Sequence, residues 1–460
     1  MMHRLLSTAF IFATAGASLH AADFPPPKWL GGTEQFGKNV QRTMRLLAES
    51  TPEKRNTVRV LFYGQSITEQ AWWRTVADDL KARFPNANLT IENRAIGGHA
   101  AQLLVKTAEA DLYPFQPDLV IFHVYGAHDK YEEILRHIRE RTCAEILQQN
   151  DHVTKPENLK EETDASKLAP GKGDWDAFMN QNWLPSLARK YQTEYCDQRA
   201  VWKRYLTDYM LEPKTLLKDG VHLNAHGQFL MAEAVKAHLR YDPKLGASPA
   251  EEWVKTVPVP ADGKLEFTGN RIDVILTGSL GPCSVTIDGK KPSGKPGCYA
   301  FSRVSSYPQG SWPCLLKVGS QAPLVAEEWT LTMRNTGGEL AAIEFDVAGS
   351  VTGPDGSGKV GERFVSNSKR IALDPEDWNL EFCRKAFGPH LKDGTAVKWR
   401  AEFHGVDQFS GRQTFRGGDE QVETLAQGLT NGPHRLELSG NLAAATALRI
   451  YRPPLAPAAK

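Results

Sequence analysis

The sequence predicts an α/β half followed by an all-β half, and three observations carry that prediction. Up to about residue 245, short apolar runs alternate with segments whose apolar residues recur at helical spacing. Past residue 262 the helical spacing stops, and β-branched runs sit between Gly, Asn and Pro turns. At 460 residues the chain is also too long for one ordinary domain.

The first residues read as a targeting segment. His3 and Arg4 precede the mostly apolar run Leu5 to Leu19, and Ala21 and Ala22 are small enough for cleavage. Residues 1–22 are therefore expected to be a signal peptide, and the mature protein to be secreted or periplasmic. The apolar run is short against the about 20 residues a membrane helix needs, so no membrane span is expected in the mature protein. Residues 23–57 read as an extended arm, "FPPPKW", and then a helix.

From residue 58 the elements follow in order. "VRVLFYG" is a strand and "EQAWWRTVADDLKARF" a helix; "NLTIENRAIGG" is a strand and turn, and "AAQLLVKTAEADLY" a helix. "PDLVIFHVYG" is apolar enough for a central strand. "YEEILRHIRERTCAEILQQ" is expected to be one amphipathic helix. The polar stretch from Asp151 to Phe178 is expected to be a solvated surface excursion, with an active-site lid as the alternative. "TEYCD" reads as a short strand and "NAHGQFLMAEAVKAHLRY" as a closing helix. Alternating β and α implies a parallel sheet covered by helices on both faces. This domain is placed at 58–245, a linker at 246–262, and a β-sandwich of jelly-roll type at 263–460.

Lys and Arg number 55 against 54 Asp and Glu, and no basic stripe occurs, so nothing points to a nucleic-acid partner. The six cysteines contain no Cys-x-x-Cys, which argues against a zinc site. Pairing among Cys283, Cys298 and Cys314 is a candidate in an oxidising compartment. No Gly-x-x-x-x-Gly-Lys or Gly-x-Gly-x-x-Gly occurs, so no nucleotide cofactor is inferred, and none of any other kind.

"VRVLFYGQSIT" delivers Ser66 to the C-terminal end of a strand, where α/β sheets bind ligands. Gly64 is expected to let the chain turn there. A hydroxyl becomes a nucleophile only beside a base, and the base needs an orienting acid. "KDGVHLNAHG" supplies Asp219 and His222, three apart, ahead of the last helix of this domain. His226 is a rival base, and Ser66 as a plain helix cap is the rival reading of the serine. His222 and His226 are four apart, but Leu223 stands where a His-Glu-x-x-His zinc motif has Glu. Gly98 in "NRAIGGHAA" could present an N–H from the second strand end, and His128 in "YGAHD" projects from the third. His99 is a candidate substrate contact, with a solvated histidine as the plainer reading.

These blocks, in this order, resemble the SGNH (GDSL-type) hydrolase superfamily over about Val58 to Tyr241. "YGQSIT" is similar to its first block, with Gln65 in place of Asp; "NRAIGG" to the second; "YGAHD" to the third, with His128 in place of Asn; and "DGVHLNAHG" to the last. The resemblance implies a flavodoxin-like three-layer α/β/α domain. It implies Ser66 as nucleophile, His222 as general base and Asp219 as orienting acid, with oxyanion donors at the Ser66 and Gly98 N–H groups. His128 is a substitute third donor or points away. The implied activity is ester hydrolysis, on acetylated polysaccharides or on lipids. Export and an appended sandwich favour an acylated glycan, by fold-level analogy. Trp312, Trp329, Trp378 and Trp399 are candidates for stacking on its sugars, unless they are core. A secreted glycan-binding or scaffold protein with a degenerate hydrolase domain is the competing class.

Overall fold

The computed structural model describes residues 24–29, 31–171, 174–278, 281–410 and 417–456. The expected signal peptide at 1–22 lies outside them. The N-terminal half runs α1 (Gln41–Ala48), β1 (Thr57–Gly64), α2 (Ser66–Glu69), α3 (Trp72–Arg83), β2 (Asn88–Asn93), α4 (Ala101–Asp111), β3 (Leu119–His123) and α5 (His128–Arg141). It continues with β4 (Glu145–Gln149), α6 (Trp175–Phe178), α7 (Leu184–Lys190), β5 (Glu194–Cys196), α8 (Gln198–Asp208) and α9 (Ala225–His238).

The five strands are all parallel, in the order β2-β1-β3-β4-β5. This is the flavodoxin-type doubly wound order. Helices cover both faces because each central strand is apolar on both. In β1, Val58, Val60 and Phe62 face one cluster, with Trp72 and Val76 of α3 and Leu230 and Met231 of α9. Leu61 and Tyr63 face the other, with Leu104 of α4 and Ile134 and Ile138 of α5. β3 alternates likewise, Leu119 and Ile121 against Val120 and Phe122.

The expected helix "YEEILRHIRERTCAEILQQ" breaks in two. α5 ends at Arg141, and Glu145–Gln149 forms strand β4 between β3 and β5. All five β4 residues are buried; a strand covered on both faces has no polar side to betray it. Glu145 is tolerated inside because its carboxylate accepts the Arg42 N–H at 3.0 Å and the Thr43 N–H at 2.7 Å, at the start of α1.

The C-terminal half holds α10 (Ala250–Trp253), β6 (Val254–Pro258), β7 (Lys264–Leu276), β8 (Cys283–Ile287), β9 (Tyr299–Phe301), β10 (Glu327–Arg334), β11 (Glu344–Gly349) and β12 (Gly353–Lys359). Then come β13 (Phe364–Val365), β14 (Ala372–Leu373), α11 (Leu380–Phe387), β15 (Ala396–Phe403), β16 (Gln408–Phe409), β17 (Gln421–Gly440) and β18 (Ala445–Tyr451). Two antiparallel sheets dominate, of the β-sandwich class. One has the order β16-β8-β17-β7-β18-β6 and the other β12-β11-β10-β15-β9. The second is spliced between β8 and β16 of the first, and each sheet has its own apolar cluster. The expected linker at 246–262 carries α10 and β6, and β6 pairs with β18. It looked like linker because an edge strand is mostly exposed and tolerates Pro258.

Trp329 and Trp399 are buried partners across β10 and β15, and Trp378 packs on the same cluster. They are core, not sugar platforms. All six cysteines are buried free thiols. Cys283 and Cys298 lie in one β cluster and Cys314 in the other, where they act as small apolar residues. Among the described residues no helix is long and apolar enough to cross a membrane.

Gly64 has a different role from the expected flexible turn. Its φ is not positive. A Cβ there would lie 2.2 Å from the His123 carbonyl oxygen and 2.3 Å from Thr68 Oγ1, so β1 and β3 close together only without a side chain. Gly64→Ala is expected to cost about 1–3 kcal/mol of stability, measured by urea unfolding of the full chain.

Candidate active site

The C-terminal edge of the parallel sheet gathers the polar residues singled out in the sequence. Ser66 opens α2 directly after β1, and the first N–H groups of a helix have no intrahelical partner. Side-chain hydrogen bonds to neighbouring segments tie α2 down. Gln65 Oε1 accepts the Tyr125 N–H beyond β3 at 3.0 Å, and Asn93 Nδ2 at the end of β2 donates to the Thr68 carbonyl at 2.7 Å. Gln70 clamps Leu223 from both sides, Nε2 donating to its carbonyl at 2.7 Å and Oε1 accepting its N–H at 3.0 Å.

That clamp holds the loop of the expected base and acid beside α2. His222 Nε2 lies 3.0 Å from Ser66 Oγ, and His222 Nδ1 lies 2.9 Å from Asp219 Oδ2. The tautomer that satisfies both carries its proton on Nδ1, leaving Nε2 to accept from the serine hydroxyl. Asp219 Oδ1 also accepts the N–H groups of His222 at 2.7 Å and Val221 at 2.8 Å. These two backbone donors, with the imidazole behind them, hold the carboxyl down at about 2.

The loop has a second anchor. His152 Nε2 lies 2.8 Å from the Val221 carbonyl, and its Nδ1 lies 2.8 Å from Asp151 Oδ1. Burial alone would raise the Asp151 carboxyl, but His152 and His123 on either side drive it well below the usual range. His226 is committed elsewhere. Its Nε2 bonds the Tyr205 hydroxyl at 2.7 Å and its ring stacks on Phe24 of the N-terminal arm at 4.2 Å.

Gly98 has φ +74, and its backbone is covered by the β half. A Cβ on it would meet Trp312 Cζ2 at 2.6 Å. Trp312 stacks on Phe382 with ring centroids 4.5 Å apart and planes at 6°. Gly97 is bare for another reason: a Cβ there would lie 2.4 Å from Glu69 Oε2. His99 is neither solvated nor open to a substrate. It is fully buried at the junction, edge-on to Trp312, with Nδ1 3.2 Å from the Gly97 carbonyl. Burial pushes it down to about 4, so the ring is neutral. Arg303 fastens the halves together, donating to both Asp111 oxygens at 2.7 and 2.8 Å and to the Arg94 carbonyl at 2.7 Å.

His128 does not join this group by any hydrogen bond found among the described residues. Its ring is stacked on Trp175 at 5.4 Å and flanked by Phe178 and Trp183, and its Nε2 is buried without a partner. Desolvation pushes its pKa down.

Sequence reasoning missed Gln70, His152 and Trp312. Trp312 was noted only as a sugar-stacking candidate, because nothing local in "SSYPQGSWPC" reports a contact with residue 98. The excursion from Asp151 to Phe178 is also fixed more firmly than its polar composition suggested. Arg199 reaches in from α8, its Nε 2.5 Å from Glu161 Oε1 and its Nη2 on Asp176 Oδ2. Lys203 Nζ adds a bond to Glu161 at 2.9 Å, and Asn158 Nδ2 one to Asp176 at 3.1 Å.

No protein-family model and no curated protein matches the chain. Solved structures do resemble part of it. One is described as a GDSL-like lipase from Parabacteroides merdae, at 18% identity and TM-score 0.33, covering 41% of this chain and 98% of that one. An acetyl xylan esterase is similar at 20% identity and TM-score 0.32, covering 39% and 98%. An acetylxylan esterase from Geobacillus stearothermophilus is similar at 18% and 0.34, covering 41% and 97%.

The Glu161 ion pair makes the excursion acid-sensitive. Burial alone would raise the carboxyl, but Arg199 and Lys203 bring it down to about 2 from an ordinary 4.5. Its contribution is therefore complete above pH 4.5 and is lost as pH falls through about 2. The stability gap between wild type and Glu161→Gln, from denaturant titrations, is expected to be widest near neutrality and to close between those values.

Proposed function

We propose that the protein is a secreted SGNH-type serine esterase that removes small acyl groups, acetyl above all, from a polysaccharide or oligosaccharide. The observation that carries this reading is the Asp219–His222–Ser66 chain of hydrogen bonds at the strand-end edge of a doubly wound sheet. A hydroxyl, an imidazole and a buttressed carboxylate in this order are the parts of acyl transfer to water. The apolar run ahead of Ala21 and Ala22 supports export.

In this reading Ser66 Oγ attacks the ester carbonyl while His222 Nε2 takes its proton. Asp219 stays ionised and stabilises the imidazolium that forms. The N–H groups of Ser66 and Gly98 hold the tetrahedral oxyanion. His222 returns the proton to the departing sugar oxygen. Water then attacks the acyl-serine, again deprotonated by His222, and the carboxylic acid leaves as Ser66 regains its proton. His128, enclosed by aromatic rings, is left out of the hole, which then has two backbone donors.

Ser66→Ala is expected to lower kcat on p-nitrophenyl acetate by at least about a thousandfold with an unchanged circular dichroism spectrum. Equal turnover by both proteins would sink the assignment.

Trp312→Ala removes the surface against which the Gly98 peptide is set. Steady-state kinetics on the same ester should show kcat reduced by up to about a hundredfold, with KM moved less, and Trp312→Phe should recover part of the loss.

A further inference from the structure

We infer that Trp175 is the floor of a sugar subsite beside Ser66, taking one pyranose ring of the acylated glycan. The inference deepens the esterase reading and rests on it for where the ester lies, though not for the binding itself.

The strand order places the segments beyond β1, β3 and β4 side by side along one edge. Gln65, next to Ser66, holds the Tyr125 N–H at 3.0 Å. The Tyr125 ring meets Trp175 edge-on, with centroids 5.0 Å apart at 89°. Trp175 lies nearly flat on His128, its plane at 14°. One ring therefore links the nucleophile's strand end to the indole, and the His128 imidazole backs the indole from behind.

Trp175 is nonetheless 45% exposed, the most open of the large aromatic side chains described. An indole left to water forgoes burial that folding could have used. It is also held still. The next residue, Asp176, takes Arg199, Tyr125 and Asn158 on its carboxylate. Asn180 Nδ2 donates to the Asp176 carbonyl at 2.9 Å and Asn180 Oδ1 accepts the Asp151 N–H at 2.7 Å. A fixed aromatic loses little freedom on binding.

The surroundings select the ligand. Of the aromatic rings grouped here, Trp175 alone is exposed; Tyr125, His128 and Trp183 are half-buried and Phe178 is buried, so the open apolar surface centres on one indole with exposed Asp174 beside it. A protein or lipid partner needs a broader patch. A pyranose fits, since its axial C–H groups form an apolar face the size of an indole while its hydroxyls stay in water. Acyl groups sit on those hydroxyls, so a ring held on Trp175 can offer one toward Ser66.

The test uses the full chain with xylo-, manno- and chito-oligosaccharides, acetylated and deacetylated, and p-nitrophenyl acetate in parallel. Wild type is expected to bind at least one deacetylated series by calorimetry, with a change in indole emission. Trp175→Ala should weaken that binding by about tenfold or more, and Trp175→Phe should keep most of it. On the acetylated form, kcat/KM should fall in Trp175→Ala by about tenfold more than on p-nitrophenyl acetate, through KM. Binding unchanged in Trp175→Ala, equal losses on both esters, or no binding of any series overturns the subsite. Trp175-dependent binding without ester hydrolysis by wild type would remove the esterase reading and leave the subsite standing.

Discussion

The close approach of β1 and β3 at Gly64 is the constraint on which the strand-end edge depends. Both strands are buried on both faces, so their spacing is set by packing and not by the loops that follow. Where β1 ends, the His123 carbonyl occupies the space a side chain would take. Ser66 emerges two residues later, already aimed, and α2 need only be held there. Gln65 and Gln70, on either side of α2, bond Tyr125 beyond β3 and Leu223 before α9, and Asn93 at the end of β2 bonds the Thr68 carbonyl. The serine's position is thus over-determined by a core contact and three polar ones, which is what the proposed role of nucleophile, within reach of one imidazole nitrogen, requires.

The imidazole's loop shows the same economy. Asp219 turns the chain by accepting two backbone N–H groups and orients His222 with what remains of its carboxylate. One side chain shapes the loop and orients the imidazole. His152 grips the Val221 carbonyl from beneath, so the loop is bonded on both flanks of the histidine although half open to solvent.

How much of this was legible follows from how local each signal is. The strand-end serine and Asp-x-x-His could be read because a short motif and the β/α alternation each sit within a few residues. β4 could not, because "CAEILQQ" runs on from a helix and is buried on every side, so periodicity had nothing to alternate against. The reason for Gly64 was misread for the same cause: a space requirement imposed by residue 123 looks in sequence like freedom to turn. Trp312 was the hardest. Its partner is Gly98, more than two hundred positions away and in the other half, and a glycine shows no trace of what rests on it.

The splicing of one β sheet into the other sets the order in which the molecule can be completed. β10, β11, β12 and β15, which frame Trp312, pair among themselves within one continuous stretch. β6 and β7 come earlier but lack partners until β17 and β18 have been made, near the end of the chain. On the ribosome the strand-end edge with Ser66 is synthesised first, and the surface that backs Gly98 follows in the second half. A chain stopped short of β18 keeps all three residues of the hydrogen-bonded chain while β6 and one edge of β7 stay unpaired.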